Sequence, residues 1–301
     1  MRRVPVVLAL LLIVPACAAP ASADDTLLTR PAAAVPVNLS AYGSTMAWSE
    51  KSADGTYRLI VRTGDGAPAA APIPAFDANV DPDVGPATGG DPVIVYSRCT
   101  AGAACDVWRY TPATGVETRI AAVASRRASE TAPSIHQGAV LYAKTGGTYL
   151  YRPGRGTRRI STARAAATDL SPFRTAMLTR GEERTVIRMG TWGRAAKIVA
   201  TGTVADAGGE RFGAPVFTRY FLYWRSNVTG GDEISSVLRV NIRRAVPTVE
   251  RSTRTLPAGL DLAVAQRPSG LFWYFDPDGL TGLVSPADTA LKATVPALTF
   301  G

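Results

Sequence analysis

Six short runs of consecutive apolar and aromatic residues recur along the chain: Met46-Ala47-Trp48, Val93-Ile94-Val95-Tyr96, Val140-Leu141-Tyr142, Ala176-Met177-Leu178, Phe221-Leu222-Tyr223-Trp224 and Leu271-Phe272-Trp273-Tyr274. With Trp48, Tyr96, Tyr142, Leu178, Tyr223 and Tyr274 taken as equivalent, the separations are 48, 46, 36, 45 and 51 residues. Periods of about 40–50 residues belong to propeller blades. Helical solenoids are excluded, because no window holds apolar residues at a 3.6-residue spacing. The runs are apolar at successive positions instead of alternating, which suits a sheet whose two faces both pack against neighbours.

The unit is plainest from Glu130 to Ser161. Thr131–Ile135 reads as a first strand, with His136-Gln137-Gly138 turning into Val140–Ala143. Lys144-Thr145-Gly146-Gly147 carries the glycines that a tight hairpin needs. Thr148-Tyr149-Leu150-Tyr151 is rich in aromatic and β-branched residues, Pro153–Gly156 supplies a further turn, and Thr157–Ser161 is the outer strand. One unit is therefore four short antiparallel strands.

In the second unit, Gly89-Gly90-Asp91-Pro92-Val93-Ile94-Val95-Tyr96-Ser97 is followed by Asp106-Val107-Trp108-Arg109-Tyr110 and Thr114-Gly115-Val116-Glu117-Thr118-Arg119-Ile120. This order of turn, apolar strand, Trp/Tyr-bearing strand, Gly turn and basic strand resembles the TolB-type six-bladed β-propeller. Ser171-Pro172-Phe173-Arg174 and Arg267-Pro268-Ser269-Gly270 stand where that family usually has Ser-Pro-Asp-Gly. The resemblance implies an all-β, six-bladed propeller of four-stranded antiparallel blades and little about function, because such propellers serve binding proteins and enzymes alike. Ring closure needs a shared blade. Thr26–Arg30 is similar to the outer-strand segment Thr118-Arg119-Ile120 and is expected to complete the blade containing Leu271–Phe275.

Met1-Arg2-Arg3, the apolar Val6–Val14 and Ala21-Ser22-Ala23 together read as a signal peptide over residues 1–23, leaving residues 24–301 as a single propeller domain. The leader's apolar stretch is shorter than the ~20 residues that span a bilayer, so no transmembrane segment is expected in the mature chain. The expected destination is secreted or extracytoplasmic. Val14-Pro15-Ala16-Cys17 offers an alternative, a bacterial lipobox whose Cys17 would be acylated and anchor the protein to the outer leaflet of the cytoplasmic membrane. Cys99 and Cys105 are the other two cysteines and are expected to form a disulfide stapling a hairpin. A metal pair lacks partners in a chain with one histidine, and no cofactor is expected.

Loss of Arg2 and Arg3 with the leader lowers the net charge from +9 to +7. The arginines are densest at Arg126-Arg127, from Arg152 to Arg159 and from Arg239 to Arg254, where they read as guards on exposed outer strands, the alternative being a patch for anionic glycans, phospholipid head groups or nucleic acid. Nucleic acid is not an expected partner, since no stacking or groove-binding module is evident. The chain has no G-x-S-x-G, H-E-x-x-H or P-loop, and the lone His136 reads as a turn residue or a satisfied polar neighbour. Acid pairs at Asp81/Asp83, Glu182/Glu183, Asp232/Glu233 and Asp276/Asp278 could serve a glycosidase, yet Asp-Pro and Asp-Gly are also turn formers. No catalytic, cofactor or metal residue is therefore assigned. The expectation is a monomeric, non-catalytic binding or scaffold propeller acting on an unidentified protein or envelope component. The alternative is a carbohydrate-active hydrolase or lyase using acids at the channel mouth.

Overall fold

The computed structural model describes residues 26–29, 36–99, 104–125, 128–204, 209–228, 234–244, 248–257, 263–264, 272–276 and 279–283. After β1 (Thr26–Thr29), the first blade comprises β2 (Pro36–Tyr42), β3 (Thr45–Lys51), β4 (Tyr57–Thr63) and β5 (Ala69–Ala70). The second holds β6 (Asp83–Pro86), β7 (Pro92–Cys99), β8 (Cys105–Thr111) and β9 (Val116–Arg119). The third holds β10 (Thr131–His136), β11 (Ala139–Lys144), β12 (Gly147–Arg152) and β13 (Gly156–Ser161). The fourth holds β14 (Ala167–Leu170), β15 (Arg174–Arg180), β16 (Arg184–Thr191) and β17 (Lys197–Thr203). In the fifth, β18 (Glu210–Phe212) and β19 (Val216–Phe217) both pair with β20 (Phe221–Val228), which leads to β21 (Ile234–Asn241) and β22 (Val249–Pro257). Every pairing is antiparallel, and no helix occurs among the described residues.

Six complete blades were expected, and five are described with their side chains. The sixth apolar run belongs to β24 (Phe272–Asp276), paired with β23 (Ala263–Val264) on one side and β25 (Gly279–Leu283) on the other. Its outer strand is β1, with Thr26 opposite Gly282 and Leu27 opposite Thr281. That sheet is assembled from both ends of the chain, and only its backbone pairing is described.

The apolar runs are the second strands of their sheets, and successive side chains along each run face opposite neighbours. In β7, Ile94 and Tyr96 join Phe76, Val80 and Leu59 toward the first blade, whereas Val93 and Val95 join Ile135, Val140 and Tyr142 toward the third. In β11, Leu141 and Ala143 pack instead with Leu170 and Met177 of the fourth blade. Ala176 and Leu178 of β15 continue to Trp224, Leu222 and Phe217 of the fifth. The core is thus a series of layers between blades, and both parities of each run are needed to fill it. Leu141 is fully buried, so truncating it to Ala should cost about 3 kcal/mol through lost transfer energy and an unfilled gap.

Polar side chains latch the inner strands to one another. Ser40 of β2 accepts the Val84 N–H at 2.9 Å, and Asn38 donates to the Val80 carbonyl at 2.7 Å. Ala132 of β10 lies in the left-handed region at φ 49° within an irregular stretch of the β10–β11 register. That conformation turns its N–H out of the blade's own ladder onto the Asp81 carboxylate of the second blade at 2.7 Å. A backbone cost of about 1–2 kcal/mol is offset by a charge-assisted hydrogen bond of similar size.

Candidate functional site

The inner strands end at a common concavity on the propeller axis. Ser40, Ala41 and Tyr42 from β2, Asp83–Pro86 from β6, Ile135 and His136 from β10, Asp169 and Leu170 from β14, and Val216 and Phe217 from β19 line it. Two carboxylates from non-adjacent blades therefore face one cavity. Asp83 accepts from the Ser40 hydroxyl at 3.1 Å and from the Ile135 N–H at 2.8 Å. Asp169 accepts from the Leu170 N–H at 2.7 Å and from the Phe217 N–H. Each acid thus spends its two oxygens on backbone or hydroxyl donors, one of them in the next blade.

Burial raises the Asp83 carboxyl to about 7 against the pull of the Ile135 and Ser40 hydrogen bonds. Burial raises Asp169 well above the carboxylate range as well, and the Asp83 charge pushes it further. The pattern fits a general acid. The space does not fit a substrate: the cavity holds about 20 Å³, room for roughly one water and far below the ~300 Å³ of small-molecule sites. At this size the acids work as latches between blades.

Of the acids singled out in the sequence, Asp81 and Asp83 are not turn residues. Asp81 is half-buried, accepts from the Ser97 N–H and hydroxyl and from the Ala132 N–H, and is raised in pKa by desolvation of its carboxyl. Glu182 and Glu183 are exposed at the β15–β16 turn, away from the axis. Asp276 lies at the end of β24, while Asp232, Glu233 and Asp278 lie outside the described residues. Asp169 had no sequence signal of its own, being a single acid between Thr168 and Leu170. Among the described residues, no group of three or more His, Cys, Asp or Glu is placed to hold a metal.

His136 is the end of β10 and not part of a turn; Gln137 and Gly138 make the turn, with φ of 49° and 76° as a two-residue hairpin needs. Its ring is buried, stands edge-on to Trp192 at 6.4 Å, and is held down to about pKa 4 by desolvation. A neutral imidazole beside an indole is a packing element at physiological pH. Cys99 and Cys105 are joined as a disulfide. They are direct cross-strand partners at the loop end of the β7–β8 hairpin, with Cα atoms 3.9 Å apart. Strand alternation places that bridge on the face opposite the Gln137-Gly138 turn. Cys17 lies outside the described residues, and no helix among those described is long and apolar enough to cross a membrane.

No known protein family and no curated protein sequence matches the chain. Solved structures do. The chain is similar to TolB from Acinetobacter baumannii, with a TM-score of 0.52 and 10% identity over 75% of this chain and 55% of that one. It is also similar to the SapL1 lectin, solved in complex with alpha methyl fucoside, with a TM-score of 0.55 and 11% identity over 86% of this chain and 94% of the lectin. AofleA from Arthrobotrys oligospora gives a TM-score of 0.50 and 11% identity over 88% and 90%. The chain spans little more than half of that TolB. At these identities the likeness establishes a β-propeller, with TolB-like similarity, and nothing finer.

Proposed function

We propose that this protein is an exported, monomeric, non-catalytic propeller that binds a protein or cell-envelope component through a propeller face. The observation that carries the reading is the axial site: its two acids are occupied by hydrogen bonds between blades, around a cavity of about 20 Å³. One of the similar folds, the lectin solved with alpha methyl fucoside, is in keeping with a binding role. The Cys99–Cys105 bridge supports export, because disulfides persist in oxidising compartments. In this reading the sheet β1-β25-β24-β23 closes the ring as a sixth blade.

The rival reading, a hydrolase or lyase acting on carbohydrate, draws on Asp83 and Asp169 facing one cavity. The test is to incubate the mature chain with an array of envelope and extracellular glycans and to follow both retention and cleavage by mass spectrometry. No cleavage of any glycan, whether or not one is retained intact, is the expected result. Cleavage that disappears in folded Asp83→Asn and Asp169→Asn variants would overturn it. N-terminal sequencing of the exported protein should begin at Asp24; an acylated Cys17 at the N-terminus would replace secretion with anchoring.

A further inference from the structure

A second concavity lies off the axis, between the third and fourth blades. It holds about 330 Å³, and Leu150, Arg152, Arg155, Arg158, Ile160 and Trp192 supply its side chains. Sixteen-fold larger than the axial cavity, it falls within the range of small-molecule sites. Its wall is formed by the last two strands of one blade and by the β16–β17 turn of the next. That turn is fixed in place: the Trp192 N–H donates to the Phe173 carbonyl at 3.1 Å and its indole N–H to the Arg174 carbonyl at 3.2 Å. Arg158 ties the two blades together by donating to the Gly193 carbonyl.

The chemistry of the lining is one-sided. Three guanidiniums converge on it, and none of Arg152, Arg155 and Arg158 has an acidic partner among the described residues, where the four ion pairs all lie elsewhere. The Arg152 guanidinium lies over the Trp192 ring, 5.1 Å from its centroid, a cation–π contact that restrains it. Arg158 uses one of its five N–H groups on Gly193 and keeps the rest. The remaining side chains, Leu150, Ile160 and the indole, are apolar or ring-shaped. Phe173, 77% exposed, sits beside the cleft through the backbone bond to Trp192.

Guarding an outer strand requires charge, but not a cavity, a guanidinium held over a ring and a pinned tryptophan. We propose that this cleft binds an acidic sugar unit, its carboxylate or phosphate held by Arg155 and Arg158 and its ring resting against Trp192. Planar forks recognise oxyanions in pairs, and ring hydroxyls can accept from the donors that remain. A nucleobase is disfavoured because its amino edge would meet only donors and apolar groups among the lining side chains. The inference deepens the reading of this protein as a binder, and supplies its ligand class.

The experiment is titration calorimetry on the mature chain with a hexuronate trisaccharide, a hexose 6-phosphate and the matching neutral hexose, at low and high salt. At least one acidic sugar should bind, about tenfold or more tighter than the neutral one, and more weakly in high salt. Whichever arm binds identifies the source of the oxyanion. Arg155→Gln with Arg158→Gln should weaken it about 30-fold, the loss expected for two charge-assisted hydrogen bonds; Trp192→Phe, which keeps a ring, should weaken it less. The double arginine variant should melt close to the parent, whereas Trp192→Phe, which loses the indole bond to the Arg174 carbonyl, should melt somewhat lower. Equal affinity for neutral and acidic sugars, no binding of either acid, or unchanged binding by the double arginine variant would overturn the site while leaving a binding role elsewhere intact. Cleavage of the bound sugar would instead overturn the non-catalytic reading.

Discussion

Replacing Asp83 by Asn should change how the stability of the protein depends on pH more than it changes the stability itself. The Asp83 carboxyl is buried and holds its proton up to about pH 7 in the fold, against 3.8 as its ordinary value. Between those values the native state keeps a proton that the unfolded chain has released. The stabilisation is therefore complete below about pH 3.8 and is lost as pH rises through about 7; a shift of this size is worth on the order of 4 kcal/mol. His136 acts in the opposite sense across the same window. Its folded pKa of about 4 lies below the ordinary 6.5, so its contribution is present above pH 6.5 and is lost as pH falls through about 4. The two slopes offset each other in the wild type, and the informative quantity is the difference between wild type and variant. The asparagine keeps an oxygen for the Ile135 N–H and, through its amide nitrogen, a donor for Ser40, which can accept in place of donating. Urea unfolding followed by tryptophan fluorescence from pH 4 to 8 should show the wild type losing about 4 kcal/mol relative to Asp83→Asn. Asp169 adds to the difference in the same direction, because removing the Asp83 charge lets it ionise more readily. A difference that is flat across this range, or that favours the wild type as pH rises, would refute the reasoning.

Gly85→Ala would set a Cβ 2.0 Å from the Ile135 carbonyl oxygen of the next blade, whereas Gly89 has open space. The first should cost about 3 kcal/mol or more and roughly 5–10 °C of melting temperature, the second almost nothing, both readable by calorimetry. Cys99→Ser with Cys105→Ser closes no loop in the unfolded chain; six residues of separation correspond to about 2 kcal/mol in the chain-entropy description, so the variant should fold with a modestly lower denaturation midpoint. Glu250→Ala breaks the ion pair to the Arg239 guanidinium, which is 1% exposed and bonded to Glu250 at 2.6 Å. It should cost about 3–5 kcal/mol by urea unfolding, against less than about 0.5 kcal/mol for Arg119→Ala at the exposed Asp106 pair.

The second strands were legible because each must supply apolar side chains to two neighbours at once, as Val93 to Tyr96 and Ala139 to Ala143 do. The third unit was legible almost strand for strand for the same reason, its hairpin glycines marking the turns. The inner strands were not. Segments such as Asp83-Val84-Gly85-Pro86 and Ala167-Thr168-Asp169-Leu170 are short and polar, and their side chains bond across to the next blade. Asp-Pro-Asp consequently reads as a turn when it is a latch, and Asp169 carries no local mark of the Asp83 charge that reaches it through the fold. The basic run from Arg152 to Arg159 was visible, but the residue that makes it a cleft, Trp192, arrives from another blade.

The pairing of β1 with β25 also sets a clock. The first described strand leaves the ribosome early and finds its neighbour only after β25 has followed it, a wait on the order of tens of seconds at ordinary rates of synthesis. During that interval β2 lacks the β23 and β24 strands that lie against it in the finished fold. The young chain carries a bare flank at each end of its row of blades. Closing so long a loop adds little in free energy, because that cost grows only with the logarithm of length; the exposure is one of duration. Whatever shields those flanks has to act before β25 emerges, and becomes unnecessary once it has.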